Sequence, residues 1–157
     1  MNILPSTIRS LDPKPFPDTL DGDLPSLTIV TPVLDRVGHI ARAIESVSAQ
    51  GYERSEHIVV DGGSVDGTED VIRRYGHVKL IAGRDANAPE AINKGLATAR
   101  GEIVGFLNSD DTYAPGALLE VGRYFRDNHE AMVVFGRAFI EEEALSGERR
   151  VVEEIVH

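Results

Sequence analysis

Short, largely apolar runs alternate along the middle of this chain with longer segments whose apolar positions recur every three or four residues. The runs are Leu27–Val30, His57–Val60, Val78–Ala82, Ile103–Leu107 and Met132–Phe135. Their length, their β-branched residues and the turn formers that bound them predict strands buried on both faces. Between the first two, Ile40, Ala43, Ile44 and Val47 stand at i, i+3, i+4 and i+7, and Gly51 follows as a helix-ending residue. The same reading predicts helices over His39–Gln50, Thr68–Tyr75, Pro89–Ala99 and Pro115–Asn128. Pro89 and Pro115 suit a first helical turn, where a missing N–H costs nothing. Regular alternation of strand and helix implies right-handed βαβ units and a mostly parallel sheet.

The two ends read differently. Residues 1–25 carry Pro5, Pro13, Pro15, Pro17 and Pro25 with no sustained apolar period, which predicts an extended arm or linker before a domain spanning 26–157. An oligomer contact is a second use for such an arm, so a homo-oligomer stays open. After Phe135, Arg137 to Ile140, Ser146-Gly147 and Val151-Val152 predict an antiparallel hairpin with a glycine-containing turn.

Composition narrows the function classes. A chain of 157 residues buries roughly 70% of its unfolded surface, so it needs no disulfide or metal merely to fold. It has no cysteine, which excludes thiolate zinc sites and cysteine nucleophiles and fits a reducing, cytoplasmic location. No apolar run approaches the roughly 20 residues that span a bilayer. Any membrane association is then peripheral, through acceptor or partners. A net charge of −10 repels phosphate backbones, so nucleic acid is a poor partner. A small phosphate-bearing ligand needs a local device, whether a divalent cation, a helix N-terminus or an arginine. The five histidines show no paired spacing on a helix face, which argues against a histidine zinc site.

The candidate chemistry lies just beyond the predicted strand ends, where ligands of open α/β sheets collect. Asn108-Ser109-Asp110-Asp111 follows Leu107 directly and offers hard oxygen donors suited to Mg²⁺ or Mn²⁺ carrying a diphosphate. The same residues form turns and helix caps. A second acidic loop, Asp61 to Thr68, follows the strand ending at Val60. Gly62 and Gly63 permit a tight turn or close approach to a ligand, while Ser64, Asp66 and Thr68 are cap formers. Asp61, the first polar residue at the strand tip, is placed to accept from a ligand. Thr31-Pro32 ends the first strand in the same way. Arg36 and His39 lie near these tips within reach of a phosphate, and Arg84 within reach of a phosphate or base, but solvated loop positions are the favoured reading for all three.

Taken in order, Thr31-Pro32, Asp61-Gly62-Gly63-Ser64-Val65-Asp66-Gly67-Thr68, Ala91-Ile92-Asn93-Lys94-Gly95, Ala99-Arg100-Gly101-Glu102 and Leu107-Asn108-Ser109-Asp110-Asp111 resemble family 2 glycosyltransferases of the GT-A fold. The match covers about Leu27 to Gly136. The resemblance implies a Rossmann-like three-layer α/β fold and transfer of a sugar from a nucleotide diphosphate, UDP favoured, to a carbohydrate or lipid-linked hydroxyl acceptor. Inversion at the anomeric carbon, Mg²⁺ or Mn²⁺ dependence and a place in polysaccharide biosynthesis come with it. By the same matching, Asp61 meets the base, Thr31-Pro32 line the nucleotide pocket, and Asn108-Ser109-Asp110 lie on the Asp-x-Asp motif with Asp110 on the metal and Asp111 beside it. Asp85 and Asn93 fall in the segment that closes around the nucleotide. A turn former and an exposed helix residue are their simpler readings.

Two departures qualify the pattern. Asn108 stands where the family often has an aspartate, so a carbonyl replaces a charge. The family's catalytic base and acceptor region lie well downstream, whereas only 46 residues follow Asp111, so the expectation is a donor-binding half of a longer enzyme. Glu141-Glu142-Glu143 reads as a solvated surface rather than the base. Two alternatives remain: a catalytically idle nucleotide-sugar-binding module, and a sugar-phosphate nucleotidylyltransferase. The second would require a glycine-rich basic loop after the first strand, which Thr31 to Arg36 does not supply.

Overall fold

The computed structural model describes residues 23–84, 87–136, 138–143 and 149–155. The chain folds as two compact units, Met1–Asp127 and Asn128–His157. In the first, β1 (Leu27–Val33), α1 (Ile40–Ser48), β2 (Ser55–Asp61), α2 (Thr68–Ile72), β3 (Val78–Ala82), α3 (Ala88–Leu96), β4 (Ile103–Phe106) and α4 (Ala117–Asp127) alternate as the apolar pattern predicts. The four strands form a parallel sheet in the order β3-β2-β1-β4.

Three layers result. On one face, Ile40 and Ile44 of α1 pack with Val33, Val59 and Ile72, while Ala43 and Val47 pack with Leu27, Ile29, Tyr52 and Leu118 of α4. On the other, Val30, Ile58 and Val60 meet Ala91 of α3. Alternate residues of β1 therefore serve opposite cores, which is why this strand is apolar without alternation. Gly95 lets α3 approach closely: a Cβ there would meet Val30 Cγ2 at 3.1 Å and Cγ1 nearer still.

β1 runs further than its apolar run suggests, through Thr31-Pro32 to Val33 opposite Asp61. Pairing with β4 stops at Val30–Phe106, followed by Leu107 N–H to Val30 O at 3.1 Å. Pro32, two residues on, turns its N–H-less nitrogen toward the side that β4 has left, so proline interrupts no ladder there. The helices end one to three residues before their predicted C-terminal bounds, and α3 begins one residue ahead of Pro89, differences within the spread of helix ends.

Opposite the site, the Arg100-Gly101-Glu102 stretch ties the start of β1 to its neighbours. Arg100 pairs with Glu56 at 2.7 Å, and Gly101 N–H donates to Thr28 Oγ1 at 2.8 Å. Burial raises the Glu56 carboxyl, but hydrogen bonds from Arg100 and Thr28 outweigh it and hold the group below its usual range.

The expectation for the N-terminal arm falls on residues 1–22, outside the described residues. Leu24, placed in that arm by the sequence, is instead buried in the core, and Pro25 O accepts from Tyr52 Oη at 2.6 Å. In the second unit, β5 (Ala138–Glu143) pairs antiparallel with β6 (Arg149–Ile155), with an irregularity between Ile140 and Glu141. The Ser146-Gly147 turn lies outside the described residues. Met132–Phe135 does not form the predicted strand: it has no pairing partner among the described residues, and Met132 and Phe135 are exposed. A short apolar run becomes a strand only where an edge receives it.

Candidate functional site

The sheet order places a topological switch between β1 and β4: the chain leaves β1 toward β2 and returns through α3 to its other side. A cavity of about 470 Å³ opens there. Pro32, Val33 and Leu34, just beyond the point where β4 pairing stops, line it, with Arg36 after them and Gly62 from the end of β2. Asn87, Ala88 and Ala91 bring the beginning of α3 to the wall, and Asn108, Ser109 and Asp110 bring the loop after β4. Asn87 caps α3, accepting Glu90 N–H at 3.0 Å, and so fixes the start of that helix at the cavity.

The loop after β4 is held from behind. Tyr113 N–H donates to Ser46 Oγ of α1 at 3.2 Å, and Tyr113 Oη donates to Phe106 O at 3.2 Å. Burial pushes the Tyr113 phenol up to about 12, so it stays a proton donor. Within the loop, Asn108 Nδ2 donates to Asp111 Oδ2 at 2.8 Å. Ser109 is buried, whereas Asp110 and Asp111 are exposed.

The residues singled out by the sequence separate here. Pro32, Asn108, Ser109 and Asp110 line the cavity together. Thr31 does not: it is fully buried, and its hydroxyl is 2.9 Å from His57 Nε2. Odd-numbered residues of β1 face α1, so the strand's own alternation turns Thr31 away. Asp111 stands behind the wall, against Asn108. Asn93 is exposed on α3 and does not line the cavity either. Asp85 lies outside the described residues. Asp61 is fully buried and, unlike the adjacent Gly62, is not among the residues lining the cavity. Its Oδ1 accepts from Gly63 N–H, Ser64 N–H and Ser64 Oγ at 3.2, 2.9 and 2.6 Å, and its Oδ2 has no partner among the described residues. Arg84 runs past Gly63, with its Cγ 3.2 Å from where a Cβ would sit, and is not part of the lining.

Sequence reasoning allowed Arg36 to reach a phosphate but favoured a solvated loop position; it lines the cavity. Its place just after a strand that ends in a ligand crevice was the available signal.

Among the described residues no three acidic or histidine side chains gather as a closed metal cage. The loop residues in the lining, Asn108, Ser109 and Asp110, carry a carbonyl, a hydroxyl and a carboxylate. That set fits a hard divalent ion that keeps waters and shares a ligand's phosphate oxygens, the usual manner for Mg²⁺. No helix among the described residues is long and apolar enough to cross a membrane.

A parallel α/β sheet with a crevice at its switch point and acidic residues after β4 is an arrangement that a GT-A-type domain fits. The sequence profile described as "Glycosyl transferase family 2" matches residues 28–153, and the chain belongs to that family. It is 31% identical over 118 residues to the O-antigen biosynthesis protein RfbC of Myxococcus xanthus, covering 71% of this chain and 9% of that protein. Among solved structures it resembles the mannosyltransferase PcManGT of Pyrobaculum calidifontis in complex with GDP-Man and Mn²⁺. The TM-score is 0.58 at 25% identity, over 71% of this chain and 34% of that one. It shares its fold with TarS 1–349 of S. aureus in complex with UDP, with a TM-score of 0.60 and 22% identity over 66% of this chain and 33% of that one. The chain spans between about a tenth and two fifths of the length of curated relatives it matches.

Proposed function

We propose that this chain binds the nucleotide diphosphate-sugar donor of a glycosyltransferase acting in polysaccharide biosynthesis, with Mg²⁺ or Mn²⁺ at the diphosphate. The observation that carries this reading is the cavity at the β1–β4 switch point, walled by Asp110, Asn108, the capped start of α3 and Arg36. Asp110 is the anionic ligand of the ion, and the Asn108 carbonyl is a neutral one. The ion supplies charge stabilisation for the departing diphosphate. Asp61 presents an acceptor to a base N–H. The orphaned Oδ2 supports this, because a buried acceptor without a partner is rare unless a ligand completes it. UDP and GDP both carry suitable N–H donors, and both appear with the structural neighbours. Direct displacement, with inversion, further requires a base for a carbohydrate or lipid-linked hydroxyl.

A second reading rests on the cavity's composition. Asp110 is the lone carboxylate among its described lining residues, so no second acid stands ready as that base. A donor-binding module without turnover has the same geometry.

Thermal unfolding and calorimetry with UDP, GDP, ADP and CDP, with and without Mn²⁺, test the donor reading. A ligand selective for the native state stabilises it by about 2.7 kcal/mol at 100 times its dissociation constant. Absence of both a shift and binding heat for every nucleotide would sink the reading. Acceptor-dependent release of nucleoside diphosphate from a sugar nucleotide separates the enzyme from the idle module.

A further inference from the structure

Three successive backbone N–H groups after β1 end on side chains of a single neighbouring loop. Asp35 N–H donates to Ser64 Oγ, Arg36 N–H to Thr68 Oγ1 and Val37 N–H to Asp66 Oδ2, each at 2.9 Å. The loop returns one bond, Val65 N–H to Asp35 Oδ1 at 2.8 Å. Both hydroxyls are oriented to accept from these amides. Ser64 donates to Asp61 Oδ1 at 2.6 Å and Thr68 to Asp66 Oδ1 at 2.5 Å, which leaves their lone pairs for the amides of residues 35 and 36. Asp35 has φ of 50°, a left-handed conformation unfavourable for a residue with a Cβ. Strain held by four hydrogen bonds marks a conformation that the surroundings impose.

What this pinned segment presents is Arg36. Among the described residues it is the one cationic side chain lining the cavity that also holds Asp110. Its guanidinium is exposed and makes one side-chain hydrogen bond, Nη1 to Asp35 O at 3.1 Å, and no ion pair among the described residues. Most of its N–H donors remain directed to solvent. In a chain of net charge −10, an anion entering this cavity needs a local cation.

We propose that Arg36 anchors the donor's diphosphate by direct charge-assisted hydrogen bonds, and that Ser64, Asp66 and Thr68 are positioning residues that fix it for that contact. The inference rests on the donor reading above and adds a residue to it. The Asp61–Thr68 loop then acts twice, meeting the base through Asp61 and setting the backbone that carries the phosphate anchor. Arginine suits the role because its planar fork matches phosphate oxygens.

Calorimetry on the 157-residue chain tests it with UDP, with uridine as the phosphate-free control and with inorganic pyrophosphate as the nucleoside-free control. A GDP and guanosine pair runs alongside, all with and without Mn²⁺. Arg36→Gln is expected to weaken UDP and pyrophosphate about tenfold or more, to leave uridine unchanged and to keep the wild-type melting temperature. Arg36→Lys is expected to fall between. Thr68→Val, with Arg36 intact, is expected to show the same diphosphate-specific loss, and Thr68→Ser to restore it; wild-type UDP affinity in Thr68→Val overturns the positioning role. If Arg36→Gln binds UDP as wild type does, or loses uridine and UDP equally, the anchor is refuted while the donor reading stands. Pyrophosphate binding through Arg36 without any gain from a nucleoside keeps the anchor and refutes the donor reading. No binding of either ligand refutes both.

Discussion

Asn108 donates its side-chain N–H to Asp111 Oδ2 at 2.8 Å, and this bond orients the Asn108 amide in the loop after β4. An ionised carboxylate only accepts, so the amide nitrogen must face Asp111 and the Asn108 carbonyl must point elsewhere. An aspartate at position 108 would face Asp111 as a like charge. On the proposed donor reading, the neutral residue would exchange one unit of charge at a bound cation for an ordered oxygen donor. Asp111→Ala is therefore expected to reduce the Mn²⁺-dependent gain in UDP affinity severalfold and to leave metal-free affinity unchanged. Asp110→Asn is expected to abolish that gain. Calorimetric titrations in Mn²⁺ and in EDTA measure both.

The two oxygens of Asp61 are used unequally. Oδ1 takes three hydrogen bonds from Gly63 and Ser64, and Oδ2 takes none among the described residues. Asp61→Ala removes the acceptor for all three donors and is expected to cost about 2–4 kcal/mol in urea unfolding. Asp61→Asn can keep an oxygen at Oδ1 but puts an N–H₂ where Oδ2 was. It is expected to destabilise less than Asp61→Ala, and to weaken nucleoside binding equally with and without metal.

The alternation of strands and helices was legible because apolar runs and helical periods are local properties. Ile40, Ala43, Ile44 and Val47 are all buried, as their spacing requires. The end of β1 was less legible, because whether Thr31-Pro32 continues the strand depends on where β4 stops, which is a tertiary fact. Met132–Phe135 failed for the related reason that pairing needs a partner edge. At the site, spacing brought Pro32, Asn108, Ser109 and Asp110 to one cavity. The roles of Ser64, Asp66 and Thr68 were hidden because a cap former looks alike whether it caps its own helix or a neighbouring loop. His57 reaching Thr31 likewise requires the β1–β2 register.

Gly95 is required by the contact of α3 with β1. A methyl group at this position would meet both methyls of Val30, in a core that also holds Ile58, Val60 and Ala91. Overpacking of this kind costs about 1–3 kcal/mol. Gly95→Ala is expected to lower the stability read from urea unfolding by that amount, despite alanine's better helix propensity. Combined with Val30→Ala, its cost is expected to be smaller than the sum of the two single changes by more than about 0.5 kcal/mol, a coupling that a double-mutant cycle reads directly.

His57 makes the stability of the fold depend on pH. It is buried on the α1 side of the sheet, its Nε2 engaged by Thr31, and its Nδ1 has no partner among the described residues. Burial lowers its pKa from 6.5 to about 4, and the positive charge of nearby His77 adds to the effect. The folded state therefore keeps the ring neutral at pH values where the unfolded chain already binds a proton. Stability from this group is fully present above about 6.5, and it is lost as pH falls toward about 4. The full loss is of the order of 3 kcal/mol, each pKa unit being about 1.4 kcal/mol. Urea unfolding between these pH values is expected to show a positive slope of stability with pH. His57→Gln, which retains a hydrogen-bonding group for Thr31 and does not titrate, is expected to flatten that slope. An unchanged slope in the variant would assign the acid sensitivity to carboxylates elsewhere.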